Sequence, residues 1–124
     1  MYHRDDARRR ILAVGEGTFL AEDVLGMLER MRAERTWSYA SLYDIRRMFG
    51  KPVVSDLRRL LETASQPGPE GQKLGPTAVV VTDATLYGMA CAYASLGPPS
   101  AFEVFQDLIQ ADIWLAAQSS RSIP

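Results

Sequence analysis

Thr77-Ala78-Val79-Val80-Val81-Thr82 is the stretch on which the fold turns. An unbroken run of β-branched and small apolar residues suits a strand covered on both faces. Asp83 directly after it has the side chain of a helix N-cap. A helix is read over residues 84–95, rich in small residues (Gly88, Ala90, Ala92, Ala94), which let it lie close to a sheet or another helix. Gly97-Pro98-Pro99 ends it. Residues 101–105 read as a further strand, and Asp107 opens a helix reaching about Gln118. Residues 119–124 read as a frayed tail.

Upstream of the deciding stretch lies a connection over residues 65–76, in which seven of twelve residues are Gly, Pro or Ser. Before it, Pro52 suits the first turn of a helix with Leu57, Leu60, Leu61 and Ala64 on one face. Residues 38–45 read as an aromatic-rich strand ending near Asp44 or Ile45, with residues 46–51 as loop. Leu20, Val24, Leu28 and Met31 mark an amphipathic helix from about Phe19 to Arg35, capped by Thr18. Residues 8–14 read as a strand stopped by Gly15-Glu16-Gly17. A short strand near residues 2–5 can pair back on it through a turn at Asp6-Ala7.

Strand and helix thus alternate four times, the pattern of an α/β fold with a mostly parallel sheet. The expectation is a mixed sheet of roughly four to five strands and about four helices, in one domain over residues 1–124. In such sheets ligands sit beyond the carboxyl ends of the strands.

Composition narrows the function classes. With 47% hydrophobic and 23% charged residues the chain has enough apolar surface to order itself. Fourteen basic against fifteen acidic residues give no general attraction to nucleic acid or anionic membrane. No apolar run approaches the roughly 20 residues of a membrane helix, and no signal peptide is visible. One cysteine, unable to form an internal disulfide, points to a reducing compartment, so a cytoplasmic location is expected. One His and one Cys leave no metal set and no cofactor motif.

Several short signatures occur in order: Gly15-x-Gly17 before Glu22-Asp23, Tyr43-Asp44-x-Arg46, and Ala78-Val79-Val80-Val81 with Tyr87-Gly88-Met89-Ala90. Val104-Phe105 and Ala111-Asp112-Ile113-Trp114-Leu115 complete the series. In that order and spacing, over residues 8–117, the chain resembles the SpoIIAA-like family of bacterial proteins, related in fold to STAS domains. The resemblance implies a small mixed sheet with helices largely on one side, and little about activity. STAS relatives include anti-sigma-factor antagonists, which bind a kinase partner and are switched by serine phosphorylation in an Asp-Ser-x-Gly type motif. Here Ile45-Arg46-Arg47 follows Asp44, and Ser55 stands eleven residues on, so the switch does not carry over.

Two groups of residues are candidates for a ligand site. Asp44, Arg46, Arg47 and Lys51 surround one expected strand end and helix start, where cations and free helix N–H groups can hold an anion. The alternative is an Arg46 or Arg47 pair with Asp44 and otherwise solvated charge. Thr82, Asp83 and Tyr87 stand at the next strand end; Asp83 as an N-cap is the structural alternative there. Cys91 is expected to be buried on the small-residue face, and His3 lies outside the strand–helix repeat, so no nucleophile–base pair is expected. Arg8-Arg9-Arg10, read on a strand, alternates between two faces and serves as edge charge. Trp114 is expected to fill the core against a strand, and Trp37 to be the more exposed of the two.

The function expected is non-catalytic. The chain is read as a regulatory or binding protein acting through a protein partner or a second copy. The alternative is a carrier or sensor of a small anionic or amphipathic ligand; a small enzyme using the same crevice is the remaining class.

Overall fold

The structure is a computed structural model that describes residues 1–121, and side chains through Gln118. Five strands and four helices follow in the order β1 (Tyr2–Asp5), β2 (Arg10–Thr18), α1 (Ala21–Ala33), β3 (Ala40–Phe49) and α2 (Val54–Ser65). Then come β4 (Thr77–Val80), α3 (Ala84–Ser95), β5 (Phe102–Phe105) and α4 (Leu108–Arg121). A single 3-10 turn, Pro69–Gly71, interrupts the connection before β4.

The strands form one mixed sheet whose spatial order equals chain order, β1-β2-β3-β4-β5. β1 runs antiparallel to β2, and the three pairs from β2 to β5 are parallel. Successive crossovers in one direction keep α1, α2 and α3 on the same face. On that face the register aligns Tyr2, Ala13, Tyr43, Val79 and Val104 in one row across all five strands. The opposite face is covered by α4, where Ala111 and Leu115 pack on Leu42, Ala78 and Val80. β4 is buried along its whole length, as two covered faces require.

Helix starts follow local chemistry. The Asp83 carboxylate accepts from Leu86 N–H at 3.0 Å, and Asp107 accepts from Ile109 N–H at 2.7 Å. At α2, Val53 N–H donates to Asp56 at 3.1 Å, and Pro52 lies outside the helix rather than in its first turn. α1 begins at Ala21, because Thr18 closes β2 instead of capping a helix.

The ends of β2 and β3 differ from the sequence reading for one reason. Gly15-Glu16-Gly17 does not stop β2: the ladder bulges between Val14 and Glu16 and resumes with Glu16 opposite Arg47. A side chain at Gly15 would meet the Met48 sulfur at 2.5 Å and displace it, so glycine lets Met48 lie over the bulge. With β2 prolonged, β3 is prolonged beside it to Phe49, so residues 46–49 are strand rather than loop. Arg8 and Arg9 sit in the β1–β2 turn, Arg9 with a φ of 53°, and only Arg10 of the three is in a strand.

Further along, α4 continues through residues 119–121, read above as tail; residues 122–124 lie outside the described residues. Trp37 is fully buried, correcting the expectation of exposure: Arg32 stacks 4.0 Å from its ring and Gly68 closes over it. Trp114 packs against Phe105 at 5.8 Å between ring centroids. Cys91 is exposed, not buried, because Leu86 is the one fully buried residue of α3.

Candidate functional site

α2 has a strongly one-sided apolar pattern, yet it leans on α1 rather than on the sheet. Arg32 donates from α1 to the Thr63 and Gln66 carbonyls at 3.1 and 3.0 Å, and Arg59 pairs with Glu22 at 3.2 Å. α1 rests on the sheet through Leu28 and Met31, packed with Ile11 of β2, and α2 extends the roof from α1 without leaning on the strands. Beneath it is a cavity of about 900 Å³, a volume within the range of small-molecule sites.

The floor is the sheet face, with Ala13, Tyr43, Val79 and Thr77. The roof carries Val24, Met27 and Leu28 of α1 with Leu57, Leu60 and Ala64 of α2. Met89, Ala90 and Tyr93 of α3, with Phe102 of β5, make the side wall. Exposed lining residues cluster at Glu16, Leu20, Asp23, Arg46 and Arg47, which places the opening at the carboxyl ends of β2 and β3. That is the end of a parallel sheet where ligands generally enter.

Charge is confined to this mouth. Arg46 is committed to Asp44 by a two-pronged pair, Nε to Oδ1 at 2.9 Å and Nη2 to Oδ2 at 2.8 Å. The guanidinium beside it holds the buried Asp44 carboxyl below the usual carboxylate range. Arg47, Glu16 and Asp23 make no ion pair among the described residues. Against these two free carboxylates stand Arg47 and the Met1 ammonium, which donates to the Val14 carbonyl at 2.8 Å, so the mouth carries no positive excess.

The interior polar groups are hydroxyls. Burial pushes the Tyr43 phenol upward, with smaller contributions from Tyr93 and Tyr2; the Ser41 hydroxyl beside it acts the other way. Tyr93, on α3 and 4.9 Å from the Phe102 ring centroid, is pushed up to about 12 by burial. Its hydroxyl has no hydrogen-bond partner among the described residues. Thr77, paired across the sheet with Ser41, adds a further buried hydroxyl.

The structure divides the residues expected at a ligand site. Asp44, Arg46 and Arg47 line the cavity from within a strand, and the helix N-terminus beside them is that of α1, whose first turn carries the carboxylates Glu22 and Asp23. Lys51, Thr82, Asp83 and Tyr87 do not line it. Lys51 is exposed beyond β3, and Thr82 donates to the Arg46 carbonyl at 2.9 Å, tying β4 to the prolonged β3. Asp83 caps α3, and Tyr87 packs against the buried cluster that includes Val81 and Leu86. Tyr43 enters the sequence reading only through the Tyr43-Asp44-x-Arg46 signature and Tyr93 not at all, since a tyrosine among small and apolar neighbours reads as core.

Among the described residues no group of His, Cys, Asp and Glu is placed to hold a metal ion, and no helix is long and apolar enough to cross a membrane. No family model matches the chain, and no curated protein or solved structure is found similar to it.

Proposed function

We propose that the chain is a cytoplasmic, non-catalytic binding protein of the SpoIIAA-like, STAS-like type that holds a small apolar or amphipathic molecule between its sheet and the α1–α2 roof. The cavity of about 900 Å³ carries this reading. A close-packed interior leaves few voids larger than a water molecule, so an opening of this size needs an occupant or a use. Its apolar walls suit a hydrocarbon or ring body, and its position at the strand carboxyl ends matches where α/β sheets take ligands. The mixed sheet with α1, α2 and α3 on one face supports the STAS-like assignment. The single cysteine supports a reducing compartment.

A second reading rests on α3. Residues 84–101 contain no charged side chain, yet Ala84, Gly88, Cys91, Ala92 and Leu96 are exposed. A helix apolar all round is ordinarily covered. Contact with a protein partner through this face is compatible with ligand binding beneath it, and would let occupancy of the cavity be sensed outside.

Native mass spectrometry of the protein purified under non-denaturing conditions tests the main reading. The expected result is a complex heavier than the chain by one small molecule, lost on organic extraction and regained on adding it back. A ligand-free chain that also gives no saturable binding of decan-1-ol or decanoate would overturn it.

A further inference from the structure

Resting on the cavity being a binding site, the arrangement inside it says which polar group its occupant carries. We propose that the cavity selects neutral apolar molecules bearing a hydroxyl or carbonyl oxygen, held by the Tyr43 and Tyr93 phenols, and discriminates against carboxylates and phosphates.

Three observations converge. First, among the described residues no cation lines the interior: Arg46, Arg47 and the Met1 ammonium stand at the mouth, and Arg46 already spends both prongs of its guanidinium on Asp44. An ionised head group drawn inside would be desolvated without a counter-charge, a large penalty. Second, an anion left at the mouth would face Glu16 and Asp23 as well as Arg47 and the Met1 ammonium, with no net positive charge among the described residues to hold it. The balanced mouth gives an anion no net attraction to offset its desolvation. Third, the interior does offer donors. Tyr43 stands in the centre of the floor, and Tyr93 reaches in from α3 with its hydroxyl unpartnered. The Tyr93 hydroxyl is not sealed inside the protein, so it is free to donate to a ligand oxygen in the cavity. Both phenols stay protonated at neutral pH, as burial keeps them so, and both remain donors there. A neutral oxygen accepts from them without bringing charge into the apolar walls.

The test compares decan-1-ol with decanoate at pH 8 by isothermal titration on the full chain, then repeats it with Tyr93→Phe and Tyr43→Phe. The alcohol is expected to bind the wild type at least about 10-fold more tightly than the carboxylate. Each phenylalanine variant is expected to lose about 3- to 10-fold in alcohol affinity, the worth of one hydrogen bond, while decanoate is unaffected. Equal or tighter binding of decanoate to the wild type would overturn the inference, and this arm needs no variant to fold. Alcohol affinity unchanged in both variants would overturn the assignment to the phenols. If the wild type binds neither probe, it is the cavity reading that falls, and this inference with it.

Discussion

Ala13→Leu tests whether the space beneath α1 and α2 is open, because its effect on stability has opposite sign in the two cases. Ala13 is 5% exposed and faces the cavity from the floor, with Tyr2 and Tyr43 as its cross-strand neighbours. In a filled interior the longer side chain would force neighbours off their rotamers, costing about 1–3 kcal/mol. Over open space it gains instead. Three added carbons at about 0.8 kcal/mol each give ~2.4 kcal/mol. Ordering the leucine side chain takes back roughly 0.5–1 kcal/mol. The net is a stabilisation of about 1.5 kcal/mol, which for a chain of this length raises the melting temperature by about 6 °C. The assay is urea and thermal unfolding of protein stripped of bound molecules, followed by far-UV circular dichroism and tryptophan fluorescence. Coincident transitions on both probes are needed for two-state treatment. A variant less stable than wild type by 1 kcal/mol or more would refute the cavity argument.

Arg46→Ala should move acid unfolding to higher pH. Asp44 titrates below its unfolded value of about 3.9, so its contribution is present above that pH and is lost as pH falls through the folded value; removing the guanidinium raises the folded value, and a circular dichroism titration reads the shift. Tyr93→Phe should flatten the alkaline side of the stability curve. Tyr93 keeps its proton to about 12 when folded against about 10 unfolded, so its contribution is present below pH 10 and lost toward pH 12, which urea midpoints at pH 9 and 11 would register. Gly68→Ala should destabilise by about 1–3 kcal/mol with a change in tryptophan emission, since the new methyl would fall 2.5 Å from the buried Trp37 ring. Cys91, exposed on α3, should react fully with a thiol reagent in the native state, and circular dichroism should find the fold intact afterwards.

The elements read best from sequence are those whose signals are local. β4 and α3 were legible because a β-branched run, an Asp cap and a Gly-Pro-Pro stop each act within a few residues. The errors lie where a strand depends on a distant neighbour. Gly15 and Gly17 carry the composition of a stop, and what they do, bulge under Met48, requires β3 to be alongside. The same long-range pairing turned Arg46 and Arg47 from loop into strand, and with that dissolved the expected anion site. Of the seven residues named for a ligand site, three line the cavity. The phenols were illegible because the pattern Leu57, Leu60, Ala64 is the same whether a helix packs down on a sheet or roofs a void above it. Burial patterns report which side faces inward, not how far away the other wall stands.

Because spatial order in the sheet equals chain order, the molecule can be assembled from one edge outward, each new strand finding its only partner in the one before it. Each parallel pairing closes a long crossover, such as Arg10 with Ala40 or Ser41 with Thr77, but none skips a strand, which suits a chain emerging progressively from a ribosome. The face of Leu42, Ala78 and Val80 is the exception. It stays bare until α4, beyond β5, swings back across β3 and β4. During synthesis this half-built sheet presents a wet apolar plane, and the interval before α4 docks is the period in which the nascent chain is most exposed to aggregation and to chaperones.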